Sequence, residues 1–166
     1  RHYIDKKVEK SLLDEMLSAA NLAPSWKNSQ TPRFYVATGE KSKNAVREAL
    51  PEFNRKNSEN ASAYIVTTVV LNRSGFDKDG TAVTEIGNGW GYYDLGLNNM
   101  ALLLKATELG ISTLVMGIRD GEKFRKEFDI PETEAVVSVI AVGYTDSEIV
   151  RPKRKSVEDF AKFYED

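Results

Sequence analysis

A chain of 166 residues with 41% hydrophobic and 29% charged content suits one folded domain with a sizeable core, and neither fraction suggests disorder. Its formal charge of −2 argues against a dedicated nucleic-acid binder, and no apolar run or leader marks a membrane span or export, so a cytoplasmic protein is expected. With no cysteine and a single histidine, His2, the chain has no disulfide, no thiol nucleophile, no thiolate-held metal and no His-based triad.

The chain opens on Arg1-His2-Tyr3-Ile4-Asp5. Val8, Leu12, Leu13, Met16, Leu17, Ala20 and Leu22 then recur at steps of three and four, which predicts an amphipathic helix. Pro24 disfavours helical geometry at Ala23, so this helix stops just before it. Ser25, Trp26, Lys27, Asn28, Ser29 and Gln30 follow, a dense run of hydrogen-bonding side chains that composition alone reads as a solvated connection. Phe34-Tyr35-Val36 reads as a strand, Gly39 to Lys43 as a turn, and Lys43 to Leu50 as a short helix closed by Pro51. The polar stretch from Pro51 to Asn60, with Asn54 and Asn57, leads into Tyr64 to Leu71, eight apolar and β-branched residues that predict a central strand buried on both faces.

Residues 72–88 are broken by Ser74-Gly75, Asp79-Gly80 and Gly87-Asn88-Gly89 and predict a loop or short helix. From Trp90 the pattern is helical with almost no polar face, through Leu95, Leu97, Met100, Leu102, Leu103 and Leu104, and Gly110 ends it. Such an apolar helix predicts burial, in the core or between two copies of the chain. Ser112 to Ile118 is a strand running into Gly117, Glu122 to Phe128 a short amphipathic helix, and Ala135 to Tyr144 a second buried strand. Arg151-Pro152-Lys153-Arg154-Lys155 is a cationic run, and Val157 to Tyr164 predicts a short helix with Phe160 and Phe163 free to dock. Helices alternating with strands would by themselves suggest a parallel sheet. No nucleophile–base pair and no metal cluster is visible, and the glycines at 87, 89 and 91 lack the preceding strand of a dinucleotide-binding loop.

The order of residues after the first helix carries more. Ala23-Pro24-Ser25-x-x-Asn28-x-Gln30 resembles the signature of the nitroreductase family of FMN-dependent oxidoreductases. The likeness continues in order along the chain. Arg1-x-Tyr3 is similar to the end of the family's opening Arg-Ser-x-Arg-x-Phe, Ala106-x-x-Leu109-Gly110-Ile111 to the exit of its central helix, and Ile130-Pro131-Glu132 to the lead-in of a strand closing on Gly143-Tyr144. Two positions depart from it. Gln30-Thr31-Pro32-Arg33 stands where Gln-Pro-Trp is usual, and Met116-Gly117 where Glu-Gly is common, so no carboxylate is present at that turn.

The resemblance implies an α+β, nitroreductase-like fold for the single domain 1–166, with a mainly antiparallel central sheet flanked by helices. It implies a homodimer with two FMN sites at the interface. Arg1 and Tyr3 would contact the flavin, as would Pro24, Ser25, Trp26 and Asn28, whose loop reaches a flavin held mainly by the other subunit. Asn54 and Asn57 fall near positions that meet the pyrimidine edge. The backbone at Met116-Gly117 would approach N5, where glycine permits close contact. A basic residue of the cationic run would hold the phosphate. Arg154 is the first choice because a guanidinium fork matches a phosphate in two places, with Lys153 or Arg151 as alternatives. No side chain is implied as catalytic, since the cofactor carries the chemistry. The implied reaction is ping-pong: NADH or NADPH delivers hydride to N5 and leaves, and a small electron-poor acceptor such as a nitroaromatic or quinone then takes its place. Substrate preference is expected in residues 72–89. Two other readings stay open: a flavin-binding member without general reductase turnover, which sequesters or senses flavin or does specialised chemistry such as dehalogenation, and a cofactor-free interaction domain.

Overall fold

The computed structural model describes residues 2–148 and 150–165. Nine regular elements alternate along them: α1 (Lys10–Asn21), β1 (Pro32–Ala37), α2 (Glu40–Glu48), α3 (Glu52–Asn57), β2 (Ala63–Val70), α4 (Gly89–Glu108), β3 (Ser112–Met116), α5 (Gly121–Glu127) and β4 (Glu134–Gly143), with 3-10 turns at Trp26–Asn28 and Val157–Asp159. The four strands form one sheet in the order β1-β2-β4-β3, and every pairing is antiparallel. The parallel sheet suggested by simple alternation of elements is therefore wrong; the antiparallel sheet implied by the family resemblance is what forms. Strand direction follows from where each connection returns, which a hydrophobic pattern does not encode.

The β-branched run of β2 occupies the middle of the sheet, where seven of its eight residues are buried. Alternation then sends its side chains into two separate cores. Ile65 and Ile140 pack under α1 and α4 with Leu13, Met16, Ala20, Leu102 and Ala106. Tyr64, Val66 and Val139 pack on the opposite face with Val46 of α2 and Phe124 of α5. α1 ends at Asn21, before Pro24, as the proline requires. α2 begins at Glu40, earlier than the expected Lys43, and α3 is an additional helix in a stretch whose polar residues carry no apolar period.

Two expectations about burial change. α4 is buried along Leu95, Asn98, Leu102 and Ala106, but Tyr93, Met100 and Leu104 are half or more exposed. They lie at helical steps with exposed Gly96 and form an apolar stripe on the side turned away from the sheet. The helix expected over Val157 to Tyr164 is only the short turn Val157–Asp159, and Phe160, Phe163 and Tyr164 are exposed. A helix of two turns is not stable without a surface to bury its apolar face. No helix among the described residues is long and apolar enough to cross a membrane.

A buried polar cluster sits beneath β1. The Tyr35 hydroxyl donates to the Glu134 carboxylate at 3.0 Å, and the Thr68 hydroxyl donates to the same oxygen. Loss of solvent, and then the Glu134 carboxylate, push the Tyr35 phenol up to about 12. The folded value lies above the ordinary value near 10, so folding favours the neutral phenol. Its contribution to stability is complete below pH 10 and is lost as pH rises from 10 towards 12. In an ultraviolet difference titration, one of the seven tyrosines should ionise late, and this late step should vanish in Tyr35→Phe.

Candidate functional site

The polar loop between α1 and β1 is wound tightly. Lys27, Asn28 and Gln30 have φ of 45°, 56° and 48°, so three non-glycine residues in four adopt the left-handed region. Asparagine tolerates this region, but each such residue costs roughly 1–3 kcal/mol and persists only where its surroundings impose it. Part of what imposes it is local. The Gln30 N–H donates to Ser25 Oγ at 3.0 Å, the Asn28 N–H to the Ser25 carbonyl at 3.0 Å, and the Ser29 N–H to the Trp26 carbonyl at 2.8 Å. The Arg33 guanidinium reaches the Gln30 and Pro32 carbonyls at 2.8 Å each. Ser25 and Gln30 line a cleft of about 340 Å³, shared with Asn21, Arg33, Phe34 and Asn98. Pro24 and Asn28 face solvent.

Trp26 turns inward. Its ring packs on Trp90 at 4.7 Å between centroids, and Trp90 in turn meets Tyr93 edge-on at 5.9 Å. The Trp26 ring is thus engaged within the chain, whereas Pro24 and Asn28 are exposed. The Trp26 backbone N–H donates to both oxygens of Asp94 at 3.1 Å, and the Ser74 hydroxyl donates to Asp94 at 2.5 Å. α4 delivers Asp94 to this place because Gly91 lets the helix lie against the sheet: a Cβ there would come within 2.9 Å of Val69 Cγ2. In the sequence Asp94 stands near the start of the apolar helix. An acid inside such a helix is the signal that marks it for attention.

At the end of β3 the chain offers backbone instead. The Met116 side chain is buried in the core, whereas Gly117 is exposed, and a Cβ built on it would meet nothing within 4 Å. The φ of Gly117 is not in the left-handed region, so neither conformation nor packing within this chain calls for glycine. Open space over an exposed backbone suits close approach by a flat group from outside the chain. Asn54 is buried, and its side-chain amide donates to the Ile118 carbonyl at 2.9 Å. It thus holds the turn that follows β3, and Asn57, half-buried, lies one turn further along α3.

The remaining expected contacts are not brought to this turn. Tyr3 is corrected outright: it is 1% exposed and a member of the core, its hydroxyl donating to the Ala141 carbonyl at 3.2 Å. A ring enclosed in this way has no face left for a ligand. Arg1 lies outside the described residues. Arg154 is exposed on an irregular segment, as are Arg151 and Lys153. The loop at 24–30 leads into β1 and the Gly117 turn leaves β3, so the two sit at opposite edges of the sheet. Three strand spacings, roughly 14 Å, separate those edges.

The nitroreductase family profile matches residues 1–144. Among solved structures, a nitroreductase family protein from Streptococcus pneumoniae TIGR4 is 22% identical, with a TM-score of 0.82 over 98% of this chain and 94% of that one. CLA-ER, an enone reductase of gut-bacterial fatty acid saturation metabolism, is 21% identical, with a TM-score of 0.85 over 98% and 91%. An oxidoreductase containing FMN is 25% identical, with a TM-score of 0.77 over 89% and 72%. A search of curated proteins returns no match.

Proposed function

We propose, from the premise that the chain belongs to the nitroreductase family, that two copies of it hold FMN between them and reduce a small electron-poor acceptor with NADH or NADPH. The observation that carries this reading is the exposed Gly117 backbone beside the Asn54-held turn, on the edge of the sheet opposite the Ser25–Gln30 loop. The loop and the turn lie on opposite edges of one chain's sheet, and in the proposed pairing a second copy brings its loop to the ring. The exposed stripe of Tyr93, Met100 and Leu104 supplies an apolar surface for the pairing.

When bound, FMN would supply two-electron hydride chemistry at N5. The protein's share is to bind and orient. Gly117 would offer its backbone to the ring, Asn57 an amide, Ser25 and Asn28 of the other copy polar contacts, and Arg154 a charge for the phosphate. That Arg154 projects into solvent from an irregular segment leaves its guanidinium available to a ligand or a neighbouring chain. The donor set is polar and neutral apart from this arginine, which fits a flavin whose only fixed charge is its phosphate. No acid is required among these residues, since solvent can provide the proton to the reduced acceptor. An enone, a nitroaromatic and a quinone share an electron-poor π system, and the enone reductase CLA-ER among the structural relatives supports that class of acceptor. We place the enzyme in the cytoplasm, where reduced nicotinamide is supplied.

Purified protein should be yellow, run as a dimer and oxidise NADH or NADPH when a quinone is added. A colourless monomer that refuses added FMN would overturn the proposal. Bound flavin without nicotinamide oxidation would favour the reading as a flavin-sequestering or specialised member. Arg154→Ala should weaken FMN binding roughly 10- to 150-fold, the range of one charge-assisted contact. Equilibrium dialysis checks this; unchanged retention moves the phosphate to Arg151, Lys153 or elsewhere.

A further inference from the structure

Asp94 is buried on α4. Its residue is 2% exposed, and no Lys, Arg or His side chain lies within ion-pair distance of its carboxylate among the described residues. A buried carboxylate without a counter-charge is costly unless directed hydrogen bonds compensate it. Here they come from two segments distant in sequence: the Trp26 N–H, 68 positions away, shared by both oxygens, and the Ser74 hydroxyl, 20 positions away. The Asn98 amide donates to the Asp94 carbonyl at 3.1 Å one helical turn on. The residue gripped is also telling. Trp26 immediately precedes the left-handed pair Lys27 and Asn28, so the grip falls where the backbone leaves its ordinary path.

We propose that Asp94 is the positioning residue of the flavin-contact loop: its carboxylate, fixed on α4, holds the Trp26 N–H and so maintains the left-handed turn that presents Ser25 and Asn28. It also ties residues 72–89 to that loop through Ser74. The segment expected to govern substrate preference and the loop expected to meet the cofactor thus share one anchor. This inference rests on the flavin reading given above.

The test compares full-length Asp94→Ala, Asp94→Asn, Ser74→Ala and Asn28→Ala with the unmodified protein. Three readouts are needed: FMN affinity by flavin fluorescence quenching of the apoprotein, apoprotein unfolding temperature, and amide hydrogen exchange of residues 24–31. Removing the hydrogen-bond acceptor should weaken FMN roughly 10- to 100-fold, the range for a lost bond to a charged group. Exchange protection should fall in 24–31. Asp94→Asn keeps one acceptor for the Trp26 N–H and should recover most of the affinity. Ser74→Ala should lose a few-fold only.

Because Asp94 acts through the loop, combining Asp94→Ala with Asn28→Ala should weaken FMN by less than the product of the two separate factors. Lower unfolding temperature with unchanged affinity of the folded protein, and effects that multiply, would overturn the assignment in favour of a purely structural role. If Asp94→Ala fails to fold, Ser74→Ala decides: FMN affinity and loop protection both unchanged in it would sink the assignment. Should the unmodified protein bind no FMN, the flavin reading fails and the inference with it, whereas binding that is indifferent to residue 94 refutes the inference alone.

Discussion

Met100→Glu combined with Leu104→Glu is expected to turn a flavin-loaded dimer into a colourless monomer while leaving the far-ultraviolet circular dichroism unchanged. Tyr93, Met100 and Leu104 share one face of α4 and are half or more exposed in the isolated chain. They are already about half buried, so covering the rest would contribute roughly 0.8–1.7 kcal/mol each, and two copies together supply roughly 5–10 kcal/mol from this stripe. Association costs about 4–15 kcal/mol in lost freedom. The margin is small enough that four carboxylates placed in the contact should erase it. Glutamate is a good helix former, and both positions face solvent in the monomer, so the fold itself should tolerate the exchange. FMN affinity should fall at least roughly 100-fold, a loss of about 2.7 kcal/mol, because each site would lose the half contributed by the other copy. Size-exclusion chromatography with absorbance in the flavin region reads both effects. A variant that stays dimeric and yellow would remove α4 from the interface. A yellow monomer would show that one chain suffices.

Tyr3→Ala should be the most damaging single change at a position the sequence marked for the cofactor, and the damage should be to stability. The ring lies against Gly143, where an added Cβ would come within 2.8 Å of Tyr3 Cδ1. Truncating a buried aromatic of this size costs about 3–5 kcal/mol through lost burial and the cavity left behind. In a chain of this length each kcal/mol lowers the melting temperature by about 2–4 °C, so a fall of about 10 °C is expected in thermal unfolding. Tyr3→Phe keeps the ring and loses the bond to the Ala141 carbonyl, at about 1 kcal/mol. Neither variant should alter the absorption spectrum of bound flavin. A shifted flavin spectrum in Tyr3→Phe, at unchanged stability, would return this ring to the site.

Much of the fold was legible because its signals are local. The apolar period of α1, the stop at Pro24, the β-branched run of β2 and the glycine after α4 are each decided by residues a few positions apart. The order Pro24-Ser25-x-x-Asn28-x-Gln30 was enough to suggest the family, and the profile match over residues 1–144 bears that out. α3 escaped notice because six mostly polar residues hold no period to detect. The helix expected at Val157 to Tyr164 had a usable pattern but nothing in its own chain to pack on.

The sequence by itself determined most of the helices and strands, α3 and the 157–164 segment apart, because those follow from side-chain period and from proline and glycine geometry. Only the tertiary structure decided that Tyr3 is enclosed, that Asp94 closes on Trp26 from 68 residues away, and that the loop and the Gly117 turn stand on opposite edges of the sheet. The reason is physical: a hydrophobic pattern says that a face is buried but is silent about its partner, and partners here are chosen by chain connections and by single polar contacts across long separations.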